Sequence, residues 1–483
     1  MAVLEDIPGR SINPASGAPL TPERRAALRK SKLPWQASIY VYAAILPIGF
    51  QLGPLAMTSL RLVLLIMVIP LLINLLAKRY GPILPTDYLF IAHIFWAIIA
   101  LAYNNPDKVI EQAGSVGLEF LGGYLIGRAY VRTPEAFLAL SRRLVFIILL
   151  MLPFTLYETL TGHPIIVETI RKVPGLSSVT ISNADKRMGL ERVQLTFAHP
   201  IHFGLFCSVA LSMSFVALRG ISGTIWRYLS SMVVAGSGFL ALSSGALLAI
   251  FLQFGLFAWS WIFAPVKQRW WILFGLFVLF YIGVDLFSNR SPIKVLMTYA
   301  TFSSHTAYWR GIIFEWGMVN VWANPIFGIG LNDWVRPRFM VSGSMDNFWL
   351  VMGVRYGIPG FLLLAVGYAL ATAQVMRRNF DADSVVLHIR RGWVFTILGL
   401  SFTLCTVHIW SSIYSYVFFT FGSGMWLITY QPPASGEAAP TPRVGAGPSL
   451  RPPQSGAIPR PAGLASGGYT RFPPVQPMRR RTP

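Results

Sequence analysis

Charge is what this chain has least of. Only 12% of its 483 residues are Asp, Glu, Lys or Arg, whereas 54% are hydrophobic and the mean hydropathy is +0.55. A water-soluble domain of this length carries about 25% charged residues, so an aqueous globular fold is excluded. Cysteine is also scarce: the two present, Cys207 and Cys405, both lie in apolar segments, which rules out a disulfide framework and a cysteine metal site. Carboxylates are few, with 19 Asp and Glu against 40 Lys and Arg, and no carboxylate pair or histidine cluster has metal-ligand spacing. No metal and no cofactor is therefore expected. The N-terminal thirty or so residues are polar, with Arg24, Arg25, Arg29, Lys30 and Lys32, and lack the apolar core and small-residue cleavage site of a signal peptide. No cleavage is expected there.

Long apolar runs dominate what remains. A spanning helix takes about 20 apolar residues, and about twelve runs qualify: 36–53, 56–77, 87–103, 109–127, 143–160, 197–218, 226–243, 245–264, 270–287, 347–375, 392–409 and 412–430. Ser243-Ser244-Gly245 divides a stretch too long for one span. The net charge of +21 sits in short clusters between runs, so it reads as a topology signal and not as a nucleic-acid footprint. Placing the N-terminus inside puts Lys78/Arg79, Arg128/Arg132/Arg142/Arg143, Arg219/Arg227, Lys267/Arg269 and Arg377/Arg378/Arg390/Arg391 on the cytoplasmic side. The fold class expected is all-α: a polytopic, GT-C-like protein of about 12 transmembrane helices, in a bacterial inner membrane with both termini cytoplasmic. Its domains are a cytoplasmic segment 1–35, a membrane domain 36–430 with periplasmic loops at about 161–196 and 288–346, and a disordered, basic, Pro-rich cytoplasmic tail 431–483.

The two external loops carry the motifs. The second contains Arg310, an apolar stretch to Trp322, Pro325 to Gly330 as P-x-x-G-x-G, Asp346-Asn347 and Gly357 to Gly360. The first ends in Arg192, then Phe197-x-His199-Pro200-x-x-x-Gly204. This order resembles the O-antigen ligase and polymerase superfamily. A weaker match is the turn at 241–249, where the family's Ser-Arg has Ser244 in place of Arg.

The resemblance implies a periplasmic-face glycosyltransferase. Its donor would be a polyprenyl-diphosphate-linked oligosaccharide, which it polymerises into an exopolysaccharide or O-antigen or ligates to a lipid A core or protein. Membrane lipids and, by the same resemblance, a chain-length regulator or export machinery are the expected partners; nucleic acid is not. Residue chemistry agrees, because a diphosphate leaving group concentrates negative charge that guanidinium binds bidentately while staying protonated. Metal-independent transfer is therefore expected, with Arg310, Arg192 and Arg61 on the diphosphate. Ligase members have a histidine before the motif asparagine, and Asp346 stands there instead, which favours polymerisation. Asp346 is the candidate base, with His305 its rival; His199 and Asn347 are supporting.

Simpler readings stand beside these. Asp346 at the start of a span is also a favoured N-cap, His199 before Pro200 suits a helix start, and Arg61 near a span end has room to snorkel. The glycines Gly114, Gly117, Gly122, Gly123 and Gly127 suit close helix packing. A transporter or flippase is the rival class; apart from Arg61 and Asp285 the spans read as nearly charge-free, which argues against ion-coupled transport.

Overall fold

A computed structural model describes residues 21–53, 55–289, 295, 304–381 and 383–431. The tail predicted to be disordered, the segment before Thr21 and the His305 side chain lie outside the described residues.

The described residues are mostly helical. In order the helices are α1 Pro22–Lys30, α2 Trp35–Ile45, α3 Ser59–Leu76, α4 Pro85–Asn104, α5 Val109–Gly117, α6 Gly123–Tyr130, α7 Pro134–Thr161, α8 Ile165–Arg171, α9 Pro200–Ser212, α10 Thr224–Leu240, α11 Ser244–Ile262 and α12 Arg269–Phe287. There follow α13 Ser304–Ala323, α14 Phe348–Arg377, α15 Ser384–Leu404, α16 Ser411–Gly422 and α17 Trp426–Thr429. Among the described residues, eight helices are long and apolar enough to cross a bilayer: α3, α4, α7, α9 with its π-helical extension to Ala217, α11, α12, α14 and α15. The remaining expected runs are helical over shorter or interrupted stretches. Run 36–53 differs most: α2 stops at Ile45, and Gly49–Leu52 pairs with Leu55–Thr58 as an antiparallel hairpin. Pro47 accounts for the break, since the residue before a proline is driven out of helical geometry, and Leu46 is extended. Run 109–127 is α5 joined to α6 through a π-helical turn, Leu118–Gly122.

Apolar side chains face outward as well as inward. None of the 19 residues of α12 is buried, and Trp271, Phe274, Leu279 and Phe287 lie open on its surface. Such a surface is stable only against another apolar phase, so the protein is a membrane protein. Inside, α16 lies on α6 through glycine: a Cβ on Gly123 or Gly127 would meet the Ser415 or Phe419 carbonyl at 2.3 or 2.2 Å. Close backbone approach of this kind drives helix association in lipid, where exclusion of water contributes nothing. The aromatic core of Phe90, Phe120, Tyr124, Phe418 and Phe421 closes around that contact.

Many of the arginines between spans act as staples. Arg128 donates to the carbonyls of Tyr80 and Pro82, Arg142 to those of Leu28 and Ser31, and Arg24 pairs with Asp383 at 3.0 Å. The spans are less free of charge than the sequence suggested. Asp87, fully buried in α4, lies 3.5 Å from the Arg128 guanidinium and accepts from the Tyr124 hydroxyl, and Glu119 is buried in the π-helical turn.

Candidate active site

The glycine motifs of the second large loop form one joint. α14 is kinked at Gly357, whose φ of 71° and ψ of −180° only glycine adopts readily. Pro325 to Gly330, which follows α13, docks into that kink: Ile358 N–H donates to the Pro325 carbonyl at 2.8 Å, Ile329 N–H to Val354 at 2.8 Å and Gly330 N–H to Arg355 at 3.0 Å. Two motifs separated in sequence thus hold α13, which carries Arg310, at a fixed position against α14, which is preceded by Asp346 and Asn347.

Arg310 is buried at 6% exposure, and its nearest polar partner is the Ser244 hydroxyl, 3.4 Å from Nη2. Its Nε and Nη1 have no partner among the described residues. Ser244 begins α11 just past the break Ala241–Ser243, where Leu242 has φ of 45°. Two further guanidiniums reach this break. Arg187 donates to the Leu242 carbonyl at 2.9 Å, and Arg192 Nε lies 3.5 Å from that of Ala241. A tight turn explains their convergence: Arg187 and Leu190 exchange two backbone hydrogen bonds of 3.0 Å, with Met188 and Gly189 at positive φ between them. Arg187 was not singled out from the sequence, yet it acts electrostatically on Arg192, His199 and Arg310 together.

Burial above all pushes the Arg310 guanidinium down to about 10; Asp346 opposes that shift and Arg187 adds to it. Burial, then Arg187, likewise pushes Arg192 down to about 10, against Asp185. Both stay charged at neutral pH. The His199 imidazole is held at about 4 by burial and then by Arg192, with Asp346 opposing, so it is neutral. Its Nδ1 accepts from Ile201 N–H at 3.2 Å, which caps α9 and places the ring proton on Nε2.

Asp346 is not the helix cap. Asn347 caps α14, its Oδ1 accepting from Leu350 N–H at 3.0 Å, because the side chain one residue before Phe348 is the one within reach of that amide. Asp346 accepts from the Ser344 hydroxyl at 2.9 Å and acts electrostatically on Arg310 and His199. The arrangement therefore brings together Arg310, Arg192, Asp346 and His199, with Asn347 adjoining.

Arg61 is elsewhere. In the first turn of α3 its Nε donates to Glu119 Oε1 at 2.9 Å, an ion pair in place of the free, snorkelling side chain that its position near a span end allows. The pair borders a separate cavity of about 160 Å³ that also takes in Arg355, His408, Trp410 and Tyr414. Trp410 forms the wall between the two sites, its ring centroid 6.1 Å from that of His199 and 6.0 Å from that of His408. Glu119 and Arg355 escaped notice in the sequence because each is a single charge inside an apolar run, with no spacing to mark it.

Residues 229–365 match the family model described as O-Antigen ligase. The matched segment contains Ser244, Arg310, Pro325 to Gly330, Asp346, Asn347 and Gly357, so the joint and the buried arginine fall within the part that is similar to that family. The match supports the resemblance to the O-antigen ligase and polymerase superfamily and a membrane enzyme of that type. No curated protein matches the chain.

Proposed function

From a membrane protein with an O-antigen-ligase-like segment, we propose a glycosyltransferase that polymerises polyprenyl-diphosphate-linked oligosaccharide repeat units, for an exopolysaccharide or O-antigen, at the periplasmic face of a bacterial inner membrane. Both termini are then cytoplasmic, with the arginine-stapled turns on the cytoplasmic side as the excess of Lys and Arg there requires. The observation that carries the reading is Arg310: a buried, protonated guanidinium with two nitrogens unpartnered among the described residues, on Ser244 at the break that Arg187 and Arg192 also reach.

Three converging cations suit one task, stabilising a diphosphate as it departs. The acceptor hydroxyl attacks the anomeric carbon, the bond from that carbon to the diphosphate oxygen breaks, and the hydroxyl proton passes to Asp346. The electron pair leaves with polyprenyl diphosphate, whose charge the guanidiniums meet bidentately, supplying what a metal ion supplies elsewhere. His199, neutral and engaged in capping α9, orients and does not titrate in the working range. Direct attack inverts the anomeric centre. A carboxylate in place of the histidine found in ligase members favours polymerisation over transfer to a lipid core.

The test is to incubate purified protein with a lipid-diphosphate-linked repeat unit, with and without EDTA, and resolve the products by length. A ladder that survives EDTA, disappears with Arg310→Ala and weakens with Asp346→Ala is expected. A ladder indifferent to both substitutions overturns the site. Its absence from folded wild type, whatever the glycan acceptor, leaves ligation or transport as the activity.

A further inference from the structure

The cavity around Arg61 has a charge that glycosyl transfer leaves unused. Arg61 and Glu119 cancel at 2.9 Å, but Arg355, which borders the same space, has no carboxylate partner among the described residues. One positive charge is thus left over in a chamber bordered by two residues with polar atoms that have no partner among the described residues, Tyr414 Oη, in a residue 4% exposed, and His408 Nδ1. Buried polar atoms without partners each cost about 1–3 kcal/mol, so their convergence on one cavity marks a place where a polar ligand completes the bonding.

Size narrows the class. At ~30 Å³ per water in the liquid, about 160 Å³ holds roughly five waters, the scale of one sugar ring and not of an oligosaccharide. The contents narrow it further. An indole face, a carboxylate, a guanidinium and phenol and imidazole groups are what a saccharide needs, since its C–H face stacks on an aromatic ring while its hydroxyls take hydrogen bonds from the rim. A guanidinium with no carboxylate beside it among the described residues adds a preference for an anionic substituent. Position supports the same conclusion, because Trp410 separates this chamber from His199 and the arginine cluster by one side chain.

We propose that this cavity is a subsite for a single sugar residue bearing an anionic group, a uronate or an acid-substituted hexose, within the glycan that the adjoining arginine cluster transfers. Arg355 pairs with the anion, Trp410 stacks on the ring, and Glu119, oriented by Arg61, accepts from ring hydroxyls. The subsite rests on the transfer reading for its purpose but not for its binding chemistry. The rival source of negative charge is the donor's own diphosphate, and the experiment separates the two.

Full-length protein in lipid nanodiscs is titrated calorimetrically with three probes: a glucuronate-containing disaccharide, the neutral disaccharide of the same linkage, and farnesyl diphosphate. Wild type is expected to bind the acidic disaccharide at least tenfold more tightly than the neutral one. Arg355→Gln removes that preference; Arg355→Lys, which keeps the charge, retains it, as does Arg310→Ala. Farnesyl diphosphate follows the opposite pattern, lost in Arg310→Ala and unchanged in Arg355→Gln. Equal affinity for the two disaccharides, binding of neither, or loss of farnesyl diphosphate in Arg355→Gln overturns the subsite. Should Arg355→Gln misfold, wild type and Arg355→Lys decide the matter alone. A preference for the acidic disaccharide in a protein that makes no glycan ladder refutes the polymerisation reading and leaves the subsite standing.

Discussion

Replacing Gly357 by alanine tests the joint on which the candidate site depends. At φ 71° and ψ −180° a residue with a Cβ is strained by about 1–3 kcal/mol. The added carbon would also lie 2.0 Å from the Ile326 carbonyl oxygen and 2.8 Å from that of Pro325, and backbone atoms cannot swing aside as a side chain does. The turn from Pro325 to Gly330 must withdraw, giving up its three hydrogen bonds to α14, each contributing about 0.5–1.5 kcal/mol. Together these terms amount to roughly 3–7 kcal/mol. Because the turn fixes α13 against α14, the distance between Arg310 and Asp346 shifts too, and a misplacement on the order of 1 Å is enough for a loss of about 100-fold in rate. Gly311, next to Arg310 on α13, is the control: no atom lies within 4 Å of the point where its Cβ would stand, so Gly311→Ala gains helix propensity of up to ~1 kcal/mol. The assay pairs melting in detergent, followed by size-exclusion chromatography, with glycan elongation. Gly357→Ala that melts with wild type and elongates at more than about a tenth of its rate would refute the reasoning.

Three more outcomes are expected. Asn347→Ala loses the α14 cap and about 1 kcal/mol of stability, whereas Asp346→Asn leaves the melting temperature nearly unchanged and weakens elongation; the reverse pattern would assign capping to Asp346 after all. His199 titrates at about 4 in the fold against 6.5 in the unfolded chain, so the unfolded chain holds the extra proton between those values and stability falls as pH drops through that window. His199→Asn keeps a capping oxygen and removes the titration, so its melting temperature declines less steeply from pH 6.5 to about 4; parallel slopes would show that the imidazole does not titrate there. Arg61→Ala leaves Glu119 buried without its partner and lowers stability, while Arg61→Met with Glu119→Gln recovers most of the loss, as removing both members of a buried pair does. A double variant no more stable than the single one rules out the ion pair as the cause.

The helices were legible because each needs only a run of apolar residues, and the motifs because they recur as short words: Arg310, Pro325 to Gly330, Asp346-Asn347. What those words do together was not legible. Gly328, Gly330 and Gly357 are spaced by a loop of unspecified path, and only the fold shows the turn of one seated in the kink of the other. The identity of the cap was a matter of one residue, below the precision with which a span's start is read. Ser244, which stands where the family has arginine, proved to be the partner of Arg310, a pairing across 66 positions that periodicity does not carry. Arg187, Glu119 and Arg355 were invisible for a common reason: a charge whose meaning comes from a neighbour far along the chain has no local signature.

On the proposed transfer, the break between α10 and α11 bears on how the arginines would release the leaving group. α10 ends at Leu240, and the carbonyls just beyond it, Ala241 and Leu242, are the groups that face Arg192 and Arg187. A helix C-terminus carries about half a negative charge, so these oxygens are a tethered competitor for the same guanidiniums at very high local concentration. An incoming anion must outcompete them, so the proposed site favours the higher charge of a diphosphate over a singly charged solute. On the proposed transfer, departure of the product would return the guanidiniums to these carbonyls, the contacts that the protein without ligand already has.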